Sequence, residues 1–481
     1  MKKGLIVGVL SVCVASGEAY GQVGLARDSA DLVAQIVRMG TEESHVAADL
    51  EYLLDVIGPR LAGSAGMQRA GEWTRRKFLE YGADRSELES WAFGVGWTRG
   101  PMRLRMLAPQ QRELVAASWA WAPGTHGPVA GDVVYMDART EAEFARRFTG
   151  KLAGAWVMVG APYALLNPDA PNAAADSARV DSTRRAARPS TADEEKFAAA
   201  RWSGLRREGI AGVIRDAGKE FGLLSMSGSP AAISAYPEIV VSNETYSQMA
   251  RLARRGEPVR IEADVRNSFT TDALRQTNTV AEIRGSERPN EIVIVGAHLD
   301  SWDLGTGATD NGTGAIAVLE AARLLAATHA RPKRTIRFVL FGAEEEGLFG
   351  SQAYTDAHQN ELPNIQAVLV LDNGTGRITG VALQGHDDLQ GMWESMLRAA
   401  PALGPLGVRR GIKTGTDHLA FERYHVPAFN YDQASRGYDH THHSQIDDFA
   451  HVVPGDVAQA ATVMALNAWQ LADMPLRIGG R

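Results

Sequence analysis

Cysteine is almost absent from this chain of 481 residues, which contains only Cys13. One thiol cannot form an intramolecular disulfide, so no disulfide framework is available. Long apolar runs are absent as well, because no segment after the N-terminus offers the roughly 20 apolar residues that a transmembrane helix needs. An excess of positive charge is also missing, since the formal net charge is −7. This balance argues against a nucleic-acid partner, which normally requires a basic face.

The composition that remains is typical of a globular α/β enzyme. Apolar residues make up 45% of the chain and charged residues 22%. The chain is longer than one ordinary hydrophobic core requires, which predicts two or three domains.

The N-terminus has the pattern of a secretory signal peptide. Two lysines follow Met1, an apolar run begins at Gly4, and small residues around Ala19 offer a cleavage site. A lipoprotein signal ending at Cys13 is the alternative, although Val12 is bulkier than the small residue usual at that position. We expect the segment to be removed, which leaves a secreted or periplasmic protein without cysteine and without a membrane anchor.

Residue patterns divide the rest of the chain into regions. Helical periodicity runs from Asp28 to about Tyr81, with a stop at Gly58-Pro59-Arg60. Short β-prone runs then predict an inserted β-rich domain, within which residues 167–195 have too few large apolar residues to form a core. The predicted boundaries are 1–21 for the signal peptide, 22–114 for the first part of the main domain, 115–265 for the insert and 266–481 for the rest of the main domain.

Strands and helices alternate regularly after residue 275. The order predicts a mainly parallel central sheet flanked by helices, an α/β fold. The predicted strands are 291–296, 335–341, 366–371 and 426–429, and the predicted helices are 312–328, 347–358 and an amphipathic closing helix at 454–473.

Acidic and histidine residues follow several of these strands. Because the carboxyl ends of parallel strands meet at one edge of a sheet, we expect these side chains to share a crevice. Carboxylate and imidazole ligands, with a further carboxylate beside a water molecule, are what a hydrolytic metal centre requires. The positions are His298, Asp310, Glu344, Glu345, Asp372 and His443. Their order along the chain predicts a two-metal hydrolase.

Each position alone also has an ordinary structural explanation. Asp310 has the position of a helix N-cap, although the glycines around it would let a carboxylate approach and bridge two cations. The Glu344–Glu346 run resembles a solvated helix start. After a buried strand, however, one glutamate can bind metal while its neighbour holds the attacking water as general base. Any of His440, His442 and His443 could be a ligand.

Asp300 is the candidate partner of His298. The two side chains face the same side of an extended segment, so we expect Asp300 to accept the second imidazole N–H and orient the ring.

The motifs resemble those of the secreted two-zinc exopeptidase superfamily, which includes aminopeptidases, glutamate carboxypeptidases and the transferrin receptor, and within it the carboxypeptidase Q branch. The resemblance spans about residues 45–475. The segments that carry it are Ile57 to Ser64, His298 to Asp303, Gly307 to Asp310, Arg331 to Thr335, Gly415 to Asp417 and His442 to Ser444.

This resemblance implies a role for each candidate residue. His298 and Asp372 would hold one Zn²⁺, Glu345 and His443 a second, and Asp310 would bridge them. Glu344 would be the general base, and Asp300 the residue that orients His298. The resemblance also implies a peptide substrate, a zinc-exopeptidase hydrolase fold with a protease-associated insert, and a homodimer.

Three other functions share parts of the pattern. An aminopeptidase uses the same metal ligands as a dipeptidase or carboxypeptidase. An amidohydrolase of acylated amino acids also uses paired metals and a glutamate base. A noncatalytic receptor-like module would lack ligands or the base, and this chain retains the whole set.

Overall fold

The computed structural model of the protein describes residues 27–163 and 191–478. The predicted signal peptide lies outside these residues, and so does the polar stretch 167–195 up to residue 190. The last residues of that stretch, from Ala192 onward, form the first turn of a helix. Within the described ranges, no helix is both long enough and apolar enough to cross a bilayer.

The described residues form both helices and strands, which alternate most regularly after His298. The helices are, in chain order, α1 Arg27–Glu42, α2 Val46–Glu51, α3 Ala65–Glu80, α4 Glu141–Arg147, α5 Ala192–Arg207, α6 Asn243–Arg254, α7 Thr313–Ala327, α8 Phe349–Ala357, α9 Gln390–Leu397, α10 His418–Glu422, α11 Tyr438–Thr441 and α12 Pro454–Asp473. The strands are β1 Arg85–Thr98, β2 Met102–Ala108, β3 Arg112–Glu113, β4 Ala116–Ser118, β5 Val129–Met136, β6 Trp156–Val159, β7 Gly212–Asp216, β8 Glu238–Val241, β9 Arg260–Val265, β10 Ser268–Ile283, β11 Arg288–His298, β12 Arg334–Phe341, β13 Ile365–Val370, β14 Ile378–Ala382, β15 Gly407–Arg409 and β16 Ala428–Gln433.

Helices precede the first strand, as the periodicity predicts. α2 continues as a wide helical turn that ends at Gly58, whose φ of 82° suits glycine. α3 begins after Ser64, whose hydroxyl accepts a hydrogen bond from the backbone N–H of Met67. The predicted stop at Gly58-Pro59-Arg60 is therefore confirmed, and Arg60 lies in the turn between the two helices.

The first sheet has eight strands in the order β1-β10-β12-β11-β13-β16-β14-β15. Its centre, β12-β11-β13-β16, is parallel, and antiparallel neighbours β10 and β14 flank it. Alternate residues of β11 enter two different cores, Val293 and Val295 on one face and Ile292 and Ile294 on the other. Burial of both faces explains the continuous apolar runs by which these strands were predicted.

The expectation that α12 is amphipathic is wrong. Every residue from Val457 to Trp469 is buried, because the helix packs against α1, α7 and the strands of the first sheet. Its polar residues are satisfied inside the core. Gln459, for example, donates to the backbone carbonyls of Ile378 and Leu403.

The second sheet has the order β3-β2-β9-β5-β6-β7-β8-β4. It begins at Met102, ahead of the predicted boundary at residue 115, because β2 pairs along most of its length with β9. Helices cover it as well: α6 contributes Tyr246 and Met249 to one core, and α4 and α5 contribute Phe144 and Phe197 to another. We call residues 102–265 the second-sheet unit.

An aromatic cluster joins the two sheets. Phe93 and Trp97 of β1 pack with Trp121, and the same cluster includes Met226 and Trp302. Trp302 lies in the loop that follows β11, so the second-sheet unit is held against the edge of the first sheet where the candidate site lies.

Candidate metal centre

The parallel strands bring the predicted residues to one edge of the first sheet. His298 is the last residue of β11, and its Cα is paired with that of Phe341 at the end of β12. The glutamates follow β12 after a short turn, and Asp372 follows β13. Asp310 lies in the segment before α7, and His443 lies in the loop after α11. All six predicted candidates therefore meet in one crevice, as expected for the carboxyl ends of parallel strands.

Asp310 lies between two groups of potential ligands. Its Oδ1 is 3.4 Å from Nε2 of His298, and its Oδ2 is 3.4 Å from Nε2 of His443. On the first side, Nε2 of His298 is also 3.3 Å from Oδ1 of Asp372. On the second side, Nε2 of His443 is 2.9 Å from Oε2 of Glu345. The two oxygens of one carboxylate thus face two histidines, each of which lies beside a second carboxylate.

His442 is a second histidine on the same loop. Its Nε2 is 3.7 Å from Oδ2 of Asp310, and its ring stacks on that of His443 at 3.7 Å between centroids. Its side chain is 44% exposed, against 22% for His443. His443 is therefore the histidine that lies closer to both Asp310 and Glu345, while His442 lies at the rim.

The donor set fits zinc. Imidazole nitrogens and carboxylate oxygens are ligands that Zn²⁺ accepts. Two of these oxygens, Oδ2 of Asp310 and Oε1 of Glu345, are buried without a hydrogen-bond partner among the described residues. Buried carboxylate oxygens without partners are unfavourable unless a cation compensates for them.

Glu344 lines the same crevice from the turn after β12. Burial raises the pKa of its carboxyl well above the usual range. The cavity that Glu344 faces has a volume of about 450 Å³ and is also lined by Asp310, Asp372, Thr416, Asn430 and Tyr438. A carboxyl group held beside a ligand-sized cavity and the candidate metal ligands is well placed to exchange a proton with a bound water.

Asp300 makes a different contact from the one expected. Nδ1 of His298 is 3.0 Å from the backbone oxygen of Asp300 and 3.6 Å from its carboxylate. The buried carboxylate instead accepts hydrogen bonds from the backbone N–H groups of Glu344 and Glu345, at 3.1 and 3.2 Å. Asp300 therefore fixes the turn that carries the glutamates, and the ring of His298 is held by a main-chain oxygen.

Two buried residues that support the ligand loops were not assigned a role from the sequence. Arg60 is completely buried and donates to the backbone oxygens of Leu299, Thr306 and Gly307, at 2.6 to 2.7 Å. Burial lowers its pKa to about 10, so the side chain remains charged at neutral pH. It ties the segment after His298 to the turn before α3. The resemblance had marked its motif but not this function.

Asp447 is the second support. Its carboxylate accepts hydrogen bonds from the backbone N–H and the hydroxyl of Thr309, and from the backbone N–H of Asp310. Burial raises its pKa to about 7.

The second-sheet unit also reaches the ligand loop. The backbone N–H of Met226 donates to the carbonyl of His443 at 3.1 Å, and that of Leu224 donates to the side chain of Gln445 at 2.8 Å. The ammonium group of Lys219 donates to the carbonyl of Asp439. The loop with the candidate ligand His443 is therefore held from both units.

Residues 278–468, which include every candidate ligand, match the family described as Peptidase family M28. The matched segment is 191 of the 481 residues. With the donor set above, the match makes the chain a zinc metallopeptidase whose substrates are peptides.

Known proteins resemble the chain over nearly its whole length. Carboxypeptidase Q from Mus musculus is 27% identical, over 95% of this chain and 92% of the relative. The crystal structure of a peptidase M28 precursor from Shewanella amazonensis is 25% identical, has a TM-score of 0.77, and covers 94% of this chain and 98% of its own. A zinc aminopeptidase from Bacillus subtilis, 19% identical with a TM-score of 0.65 over 90% of this chain and 96% of its own, shows the same fold.

Proposed function

We propose that the chain is a secreted or periplasmic exopeptidase that hydrolyses dipeptides or short peptides with two zinc ions per subunit. The observation that supports two ions is the position of Asp310, whose Oδ1 faces His298 and whose Oδ2 faces His443. A carboxylate between two pairs of donors is suited to bridge two cations. The similarity to carboxypeptidase Q supports the dipeptidase or carboxypeptidase mode.

In this proposal each side chain has one role. His298 and Asp372 hold one zinc ion, and Glu345 and His443 hold the other. Asp310 bridges. The distance of 2.9 Å between His443 and Glu345, and of 3.3 Å between His298 and Asp372, supports this pairing.

Glu344 is the proposed general base. When bound, the zinc ions would supply a polarised peptide carbonyl and a water of lowered pKa. Glu344 accepts the proton of the attacking water and delivers it to the nitrogen of the leaving amine. Asp300 supports this transfer indirectly, because its hydrogen bonds to the backbone of Glu344 and Glu345 fix both side chains relative to the crevice.

An aminopeptidase is the second candidate. A segment of 114 residues is 43% identical to an aminopeptidase from Pseudomonas aeruginosa, although the segment covers only 23% of this chain. Such an enzyme would share the metal ligands and the base and would differ in which end of the peptide it recognises.

A peptide panel tests the proposal. Zinc-reconstituted protein is assayed on dipeptides with free ends, on the same dipeptides with acetylated or amidated ends, on aminoacyl chromophores and on longer peptides. We expect cleavage of free dipeptides. Release of N-terminal residues from long peptides and aminoacyl chromophores would favour the aminopeptidase. The absence of hydrolysis on every peptide would contradict both functions.

Three further parts of the proposal concern the whole protein. We propose that residues 1–21 are an export signal, which N-terminal sequencing of exported protein would test. We also propose that the second-sheet unit is a protease-associated domain. The enzyme is proposed to be a homodimer, and light scattering of the purified protein would test this oligomeric state.

A further inference from the structure

A second cavity, of about 380 Å³, also reaches the turn that carries the glutamates. It shares Glu345 and Gly347 with the first cavity, and most of its remaining lining comes from the second-sheet unit. Its volume is within the range of small-molecule sites, about 300 to 1,000 Å³. We propose that this cavity binds the C-terminal carboxylate of the peptide substrate through Arg215. The inference rests on the proposed function and makes it more specific.

Arg215 is held in a fixed orientation at this cavity. It lies on β7, and its guanidinium carbon is 4.6 Å from the ring centroid of Trp119 and 5.5 Å from that of Trp202. Its Nε donates to the carboxylate of Glu238. Among the described residues, none accepts a hydrogen bond from its two terminal nitrogens. A guanidinium that is stacked and anchored in this way can still present a two-pronged donor to a carboxylate.

The charged groups of the cavity differ in their accessibility. The side chain of Arg215 is 31% exposed, whereas that of Glu238 is 7% exposed and engaged with Arg215. The side chain of Glu345, which also lines the cavity, is 3% exposed, and both carboxylate oxygens of Glu346 are buried. Ser227 and Ser229 also line the cavity. A ligand in this cavity therefore meets one accessible charged group, the guanidinium of Arg215, which is a donor for an anion.

The first cavity contains the candidate metal centre. Its lining includes the carboxylates of Asp310, Glu344, Glu345 and Asp372 and contains neither arginine nor lysine. A dipeptide at neutral pH carries an ammonium group at one end and a carboxylate at the other. If it spans the two cavities across Glu345 with its scissile bond at the metal centre, its carboxylate faces Arg215. This arrangement selects peptides whose C-terminal residue is the leaving group and has a free carboxylate.

The test compares a dipeptide with its own C-terminal amide. Alanyl-leucine and alanyl-leucinamide are assayed with the zinc-loaded wild type and with Arg215→Met, Arg215→Lys and Arg260→Met. Arg260 is the matched control, because its ion pair with Asp132 is exposed and lies outside the cavity lining. We expect the wild type to prefer the free acid. Arg215→Met should lower kcat/KM for the acid by about ten- to a hundredfold, mainly through KM, and leave the amide unchanged.

Further variants separate recognition from folding. Arg215→Met leaves Glu238 buried without its partner, so the double variant Arg215→Met with Glu238→Gln removes both charges and should show the same loss of preference. Arg215→Lys should retain part of the preference for the free acid over the amide. An acid-to-amide ratio that is the same in Arg215→Met, Arg260→Met and the wild type would overturn the proposal.

A binding measurement tests carboxylate recognition by Arg215 independently of peptide hydrolysis. Leucine and leucinamide are titrated into the zinc-loaded protein while tryptophan fluorescence is recorded, since Trp119 and Trp202 flank Arg215. We expect leucine to bind at least tenfold more tightly than leucinamide in the wild type and not in Arg215→Met. If no peptide is cleaved but this difference is present, the proposed function fails and the carboxylate site stands. If peptides are cleaved without it, only the carboxylate site fails.

Discussion

Replacing Glu344 by Gln tests the proposed division of labour between the adjacent glutamates. Glu344 and Glu345 both line the crevice. Ligand atoms of Glu344, His298 and Asp372 lie within 4.8 Å of one another, close enough to hold one metal ion together. Geometry alone therefore offers Glu344 as either base or ligand. The amide keeps the size of the side chain and removes its ability to accept a proton.

The expected loss follows from the general-base role. Positioned acid–base groups contribute about 10² to 10⁴ in rate, so kcat/KM of Glu344→Gln should fall by about 10³, or about 4 kcal/mol of transition-state stabilisation. Stability should change little, because the amide keeps the size of the side chain and adds no buried charge. Zinc content should stay at the wild-type level.

Glu345→Gln is the matched control on the same turn. Oε2 of Glu345 lies 2.9 Å from Nε2 of His443, so this variant should lose zinc from that side of Asp310. The assay combines steady-state kinetics on a dipeptide, zinc content by elemental analysis and thermal unfolding. Near-normal turnover in Glu344→Gln, or loss of a zinc ion from it, would refute the assignment of Glu344 as base.

Three further variants test interactions that support the fold. Arg60→Met should destabilise the protein by about 3 kcal/mol, because the backbone oxygens of Leu299, Thr306 and Gly307 each lose a buried donor at roughly 1 kcal/mol apiece. Arg69→Met, which removes a single bond to Ile57, should cost about a third as much in urea unfolding, and equal losses would contradict the reasoning. For His358, burial lowers the pKa, but the hydrogen bond and charge of Glu89 raise it above 6.5 overall, with Glu361 adding to the effect and Arg337 opposing it. The interaction of His358 with Glu89 therefore stabilises the fold fully below the unfolded pKa, and this stabilisation is lost as pH rises through the folded pKa. The Tm deficit of His358→Asn should shrink as pH rises above about 6.5, and a deficit that grows would contradict the shift.

The sequence determined the parts of this protein that depend on local pattern. The apolar runs of β11, β12 and β13, each followed by acidic or histidine residues, predicted the parallel centre of the sheet and the crevice at its edge. The structure brings all six predicted candidates together there, although their individual roles remain proposals. These residues were visible because strand ends are set by hydrophobicity, and parallel strands align their ends.

Tertiary structure decided what depends on partners distant in the chain. The carboxylate of Asp300 bonds to the backbone of Glu344 and Glu345 rather than to the neighbouring ring of His298, because the turn after β12 lies nearer to it. The burial of α12 could not be predicted either, because its polar residues make hydrogen bonds to elements distant in the chain. Arg215 lies far in sequence from every ligand candidate and lines the cavity beside Glu345 only because the second-sheet unit packs over the edge of the first sheet. A linear pattern records which side chains are available, and only packing decides which of them face one another.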